Sequence, residues 1–182
     1  SLGTAGKITN DDIDSEIIKS AEITLLEGYL WDEGDPKKAF EKAISNSNKV
    51  AMSLSDIFCV ERHKSNFLDL VKHKLDIVFA NEQEILSLID SKSFNDVISF
   101  SKSLNKNIII TRGAKGAVAI KNDKIYECEA IKNVKITDLT GAGDLFAAGY
   151  LHGIINNLQV NESLHKGTEL AAKIIQKMGA RI

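Results

Sequence analysis

The chain has 182 residues, 43% of them apolar and 26% charged, with a formal net charge of −2: enough material for one globular domain with a sizeable core. A near-neutral chain lacks the excess of Lys and Arg that a nucleic-acid backbone demands, which excludes that partner. No apolar run approaches the roughly 20 residues of a membrane span, so no membrane is expected either.

The opening "SLGTAGKITN" has no basic region followed by an apolar core and does not read as a signal peptide. It also lacks an initiating Met, so either its first residues are foreign or the chain starts partway through a longer protein. Short runs of β-formers then recur at Ile23 to Leu26, Val50 to Leu54, Ile77 to Ala80, Ile108 to Thr111 and Ala117 to Ile120. Between the first four lie helical periodicities at Pro36 to Ser47, His63 to His73 and Phe94 to Leu104. Pro36 suits a first helical turn, where its missing N–H costs nothing. The runs Ile77-Val78-Phe79-Ala80 and Ile108-Ile109-Ile110 are apolar on both faces, as parallel strands are when helices cover both sides. The alternation therefore predicts an α/β layered fold with right-handed crossovers. "AVAIKNDKIYEC" leaves no room for a helix and predicts a hairpin turning at Asn122-Asp123. Two more helices are expected, Asp144 to Asn156 and Asn161 to Met178, the second capped at Asn161 and stopped by Gly179. Residues 1–182 read as a single unit without repeats or linkers.

Three stretches carry chemistry. In "KITDLTGAGDLFAAGYLHG", Gly141, Ala142 and Gly143 precede a helix start. First-turn N–H groups lack helical acceptors, the helix dipole is positive there, and glycine lets an anion approach the backbone. Asp144 cannot hold a phosphate, because like charges repel. It can accept the proton of a hydroxyl that attacks phosphorus, while the amides stabilise the charge. The plain alternative is a strand-to-helix turn with Asp144 as a dipole partner. A Walker A loop and a dinucleotide fingerprint both fail on spacing, the latter because Phe146 stands where Gly or Ala is needed. In "FANEQE", Asn81 and Glu84 follow a strand end three residues apart and could hold hydrated Mg²⁺ against phosphates; they equally fit an N-cap with its capping-box Glu. In "ITRGAKGAV", Thr111, Gly113 and Gly116 could lie along a nucleotide, or simply form a tight turn between strands. All three stretches are expected at the carboxyl ends of strands on one edge of a sheet.

Cys59 and Cys128 have no partner at ligand spacing, and neither do His63, His73, His152 and His165. Two small buried thiols in a cytoplasmic protein are expected rather than a zinc site.

Asp138-Leu139-Thr140-Gly141-Ala142-Gly143-Asp144 resembles the second signature of the PfkB-type carbohydrate kinases, the ribokinase and adenosine kinase family. Asn81 to Glu84 resembles that family's N-x-x-E motif, and Thr111 to Gly116 its T-x-G-x-x-G element, in matching order. "LLEGYLWD", "LSDIFCVERH" and "KMGARI" look most like its bacterial adenosine-kinase-like branch. The resemblance implies a ribokinase-like three-layer α/β/α fold with a mostly parallel central sheet. This chain would supply the C-terminal portion of that fold, without the N-terminal part that carries the lid and most acceptor contacts. It implies transfer of the ATP γ-phosphate to a hydroxyl of a sugar or nucleoside, an adenosine or ribose-like acceptor, in the cytoplasm, with ATP and Mg²⁺. A homodimer is compatible with it. By residue, it makes Asp144 the catalytic base and Gly141, Ala142 and Gly143 the anion hole. Asn81 and Glu84 organise Mg²⁺ through water, Thr111, Gly113 and Gly116 lie along the nucleotide, and the last helix flanks the adenine. Leu139 departs from the small or hydroxylated residue usual in the family and is expected to alter packing behind the anion hole while sparing the reacting groups. A non-catalytic sugar or nucleoside binder, or an inactive fragment, is the alternative; Asp144 beside a phosphate argues against a pure binder.

Overall fold

The computed structural model describes residues 3–31 and 34–181; Asp32 and Ile182, which belong to quoted stretches, lie outside the described residues, as do Ser1, Leu2 and Glu33. The backbone divides into two compact units, Ser1–Ile108 and Ile109–Ile182.

The first unit alternates helix and strand in the order α1 (Ser15–Ser20), β1 (Thr24–Glu27), α2 (Asp35–Asn46), β2 (Val50–Ser53), α3 (Ile57–His73), β3 (Ile77–Asn81), α4 (Glu82–Leu88) and α5 (Phe94–Leu104), with β4 (Asn107–Thr111) running across its end. Strands β1 and β2 pair in parallel with Thr24 opposite Val50, and β2 and β3 pair in parallel with Ala51 opposite Ile77. Ala51, Met52 and Val78 are fully buried, as strands covered on both faces must be. Helix α2 enters through Gly34 with Pro36 in its first turn, as its sequence predicts. Helix α3 begins at Ile57 rather than at His63. The Asp56 carboxylate accepts the Cys59 N–H at 2.7 Å and caps it. The apolar run 57–60 masked that start, and His63 breaks helical geometry with φ −116° and ψ 23°, so the periodicity is regular only beyond it. Trp31 packs edge-on against Phe40 and Phe67, with ring centroids 5.3 and 6.4 Å apart.

The second unit holds the remainder of β4, then β5 (Ala117–Lys121), β6 (Lys124–Cys128), α6 (Ala142–Ile155) and α7 (Val160–Ile174). Strands β5 and β6 are antiparallel, with Lys121 opposite Lys124. Asn122 and Asp123 between them take φ of 50° and 61°, the two left-handed residues of a type I′ hairpin turn. Strand order along the sheet is β1-β2-β3-β4-β5-β6. Helix α7 is capped by Gln159, whose N–H donates to Glu162 Oε2 at 2.8 Å, and not by Asn161. It ends at Ile174, short of the expected Met178. Helices α6 and α7 approach backbone to backbone: a Cβ on Gly149 would stand 2.7 Å from the Lys166 carbonyl, and one on Gly167 would stand 2.7 Å from the Phe146 carbonyl. Phe146, Ala147, Tyr150 and Leu164 fill the apolar interior of this unit.

Candidate functional site

In the second unit, the loop before α6 is shaped by Asp138. Its Oδ1 accepts the Thr140 N–H at 2.9 Å and the Thr140 hydroxyl at 2.7 Å, while Oδ2 accepts the Gly179 N–H at 2.9 Å. Those three donors hold the Asp138 carboxyl below the usual aspartate range, the Thr140 amide most of all. The N–H groups of Thr137 and Asp138 both donate to the Ile175 carbonyl, at 2.7 and 3.2 Å. The loop is thereby stitched to the segment that follows α7. Gly141, at φ 79°, closes the stitch: a Cβ there would strain the backbone and meet Ala180 Cβ at 3.0 Å.

The first-turn amides of α6 divide unevenly. The Ala142 N–H donates to the Leu139 carbonyl at 3.2 Å, so Ala142 is not a free donor as the anion-hole expectation had it. Among the described residues, no protein acceptor takes the N–H of Gly141, Gly143 or Asp144. Gly143 is exposed, and a Cβ there would meet nothing within 4 Å. The Asp144 side chain is exposed and has no hydrogen-bond or ion-pair partner among the described residues. Free donors, open space and an unengaged carboxylate therefore coincide on one helix start. That arrangement can stabilise developing negative charge while orienting a hydroxyl. Leu139 does not pack behind this loop; it is 63% exposed. The loop ends against backbone from 175 to 180 rather than against a core that would take a leucine.

The Thr111 to Gly116 stretch forms a closed turn, with the Arg112 N–H donating to the Gly116 carbonyl at 2.8 Å. Gly113 (φ 57°) is open to solvent, as approach by a ligand requires. Gly116 (φ 85°) is different: its Cα faces protein, and a Cβ would fall 1.9 Å from the Cys128 carbonyl. The missing side chain at Gly116 makes room for the end of β6, so the expected nucleotide contact does not explain that glycine.

In the first unit, Asn81 and Glu84 form a reciprocal cap at the start of α4. The Asn81 N–H and Nδ2 donate to Glu84 Oε2 and Oε1 at 2.8 and 2.6 Å, and the Glu84 N–H returns to Asn81 Oδ1 at 2.9 Å. Both sequence readings, cap and ligand holder, use the same atoms. Glu84 is 5% exposed. Burial pushes its carboxyl above the ordinary value of 4.5, and the charges of Asp56 and Glu27 add to the shift against the Asn81 N–H. Sequence reasoning missed these two neighbours. Glu27 ends β1 and Asp56 follows β2, so the signal was present in the strand ends. Glu27 Oε2 accepts the Ser55 hydroxyl at 3.0 Å. Burial and Asp56 push the Tyr29 phenol and the Cys59 thiol each up to about 12.

Comparison with known proteins shows the family and the fold. The family model described as pfkB family carbohydrate kinase matches residues 2–182. The solved adenosine kinase from Sinorhizobium meliloti is 32% identical, with a TM-score of 0.93 over 97% of this chain and 56% of its own. A sugar kinase protein from Rhizobium etli is 35% identical, with a TM-score of 0.91 over 97% of this chain and 55% of its own. A Ribokinase II from E. coli, solved in complex with ATP and Mg²⁺, shares the fold at 20% identity and a TM-score of 0.84, over 96% of this chain and 59% of its own. The chain thus spans little more than half the length of these relatives. Among the described residues, no helix is long and apolar enough to cross a membrane.

Proposed function

The chain belongs to the pfkB family of carbohydrate kinases, and on that premise we propose that it is the C-terminal, catalytic portion of an ATP-dependent phosphotransferase acting on a sugar or nucleoside hydroxyl. The observation that carries the proposal is the start of α6: N–H groups of Gly143 and Asp144 without protein acceptors beneath an exposed, unengaged Asp144 carboxylate. The amides and the helix dipole receive the charge of the transferring phosphoryl group. Asp144 Oδ orients the acceptor hydroxyl and takes its proton late, which suits a loose transition state in which positioning outweighs basicity. Asp138 keeps the loop in register, and Thr111 and Gly113 offer a hydroxyl and an open backbone to the nucleotide. ATP as the donor supports a cytoplasmic location.

Asn81 and Glu84 would hold Mg²⁺, which supplies charge neutralisation on the phosphates when bound. The residues fit a hydrated ion. Each Glu84 oxygen already accepts one hydrogen bond from Asn81, and Asp56 and Glu27 crowd it with negative charge that a cation relieves. Held by so few protein groups, the ion would be bound through water. The adenosine kinase and sugar kinase likenesses support adenosine or a ribose-like sugar as the acceptor.

The test is ADP release by the full-length protein with a panel of adenosine, ribose, fructose and related acceptors. Asp144→Asn is expected to lower turnover by about a hundredfold or more with ATP affinity little changed. Undiminished turnover removes Asp144 from the reaction, and nucleotide binding without ADP release on any acceptor leaves a binding module instead.

A further inference from the structure

The two free cysteines of this chain stand in opposite surroundings. Cys59 is held as a thiol by burial and by Asp56, and its titration is pushed up to about 12. Cys128, the last residue of β6, is half-buried, as Cys59 is, and lies against His165 and Thr168 of α7. Its Sγ lies 3.9 Å from His165 Nδ1, and the other ring nitrogen, Nε2, lies 3.4 Å from Glu169 Oε1. A carboxylate beside Nε2 favours the tautomer that carries hydrogen there, which leaves Nδ1 as an acceptor aimed at the thiol. A nucleophile, a base within reach and a third group orienting the base form the arrangement by which thiols are activated. Thr168 Oγ1 lies 3.6 Å from Sγ and 2.9 Å from the Leu164 carbonyl, with one hydrogen for the two. The Cys128 backbone is held close, because its carbonyl packs where a side chain on Gly116 would be. Glu129, next to Cys128, pairs with Lys132 at 3.2 Å, and Glu162 and Lys166 line a shallow depression with His165 and Glu169.

We propose that Cys128, served by His165 and Glu169, is a covalent modification site that exchanges with low-molecular-weight disulfides. His165 Nδ1 takes the thiol proton, Sγ attacks one sulfur of the disulfide, and that S–S bond breaks as the new one forms. The departing thiolate collects the proton from the imidazolium and leaves as a thiol, so the disulfide is the only oxidant consumed. Exchange asks for nothing beyond a thiolate, access and a proton for the leaving sulfur, and this corner of the fold holds a half-buried thiol with its base beside it.

The experiment uses the full-length protein and the aromatic disulfide 5,5′-dithiobis(2-nitrobenzoate), with peptide mapping of the labelled residue. One thiol is expected to react about tenfold or more faster than free N-acetylcysteine at the same pH, the low side of what a positioned base supplies. That phase maps to Cys128, persists in Cys59→Ser and is lost in Cys128→Ser. His165→Asn, shown by its melting curve to be folded, slows it about tenfold and removes the imidazole limb from its pH profile. Glu169→Gln slows it by less and serves if His165→Asn does not fold. Labelling of Cys128 no faster than the free thiol, or at a rate indifferent to both variants, overturns the proposal.

Discussion

Gly143→Ala sets stability and catalysis against each other. A Cβ at this position meets no atom within 4 Å, and its φ lies outside the left-handed range. The substitution therefore introduces neither clash nor strain. Alanine in place of glycine within a helix stabilises by about 0.5–1 kcal/mol, and less in a first turn. For a protein of this size that is a rise in Tm of about 1–2 °C. The Cα–Cβ bond in a helix tilts toward the N-terminus, so the new methyl projects into the space that the unbonded first-turn amides face. Denying a phosphoryl oxygen one such donor costs about 2.7–4 kcal/mol, a hundredfold to thousandfold in kcat. The assay is a thermal melt beside steady-state ADP release on the full-length protein. A variant as stable as the parent with undiminished kcat refutes the anion-hole reading of α6. Gly141→Ala is the control: φ of 79° and Ala180 at 3.0 Å predict that stability and activity fall together.

Three further outcomes follow from the same geometry. Gly116→Ala places a Cβ 1.9 Å from the Cys128 carbonyl at φ 85°; a loss of about 3 kcal/mol or more is expected in chemical denaturation, and a wild-type midpoint rejects the packing described. The Glu84 carboxyl titrates above 4.5 when folded, so the native state holds the extra proton and stability falls as pH rises through the interval from that value to the folded one. Glu84→Gln should flatten that slope, and an unaltered slope means another group produces it. For Asp138 the folded titration is depressed, so its contribution is full above 3.8 and fades as pH drops through the lower folded value. Asp138→Ala should accelerate hydrogen exchange at the Thr140 and Gly179 amides, and unchanged protection at both dismisses the tie.

What was legible in the sequence had a local cause. Val-, Ile- and Phe-rich runs bounded by turn residues yielded β2 to β5, and Asn122-Asp123 yielded the hairpin, because periodicity and turn chemistry act within a few residues. The start of α3 was not legible, since Ile57 to Val60 reads as strand unless Asp56 is recognised as a cap. Of the candidate site, the motif reading pointed to the family that the match shows, and Asp144 and Gly143 lie exposed at the start of α6. Three features depended on chain distant in sequence. The Asp138 tie spans 41 residues to Gly179, Gly116 packs against Cys128, and the loop that carries the exposed Leu139 is bonded to Ile175. No spacing rule carries such information.

The contact between α6 and α7 at Gly149 is backbone against backbone, with Lys166 and Gly167 opposite, and a bare joint of this kind has no slack. A side chain can rotate aside; a carbonyl 2.7 Å from a new methyl cannot, so the whole rod must slide or roll. Gly149 stands about 7.5 Å along the axis from Asp144 at 1.5 Å per residue. A small bulge at that buried joint is thus delivered almost undiminished to the exposed tip, where a displacement of about 1 Å can cost a hundredfold in rate. Inactivating substitutions should therefore surface at positions that no substrate ever meets.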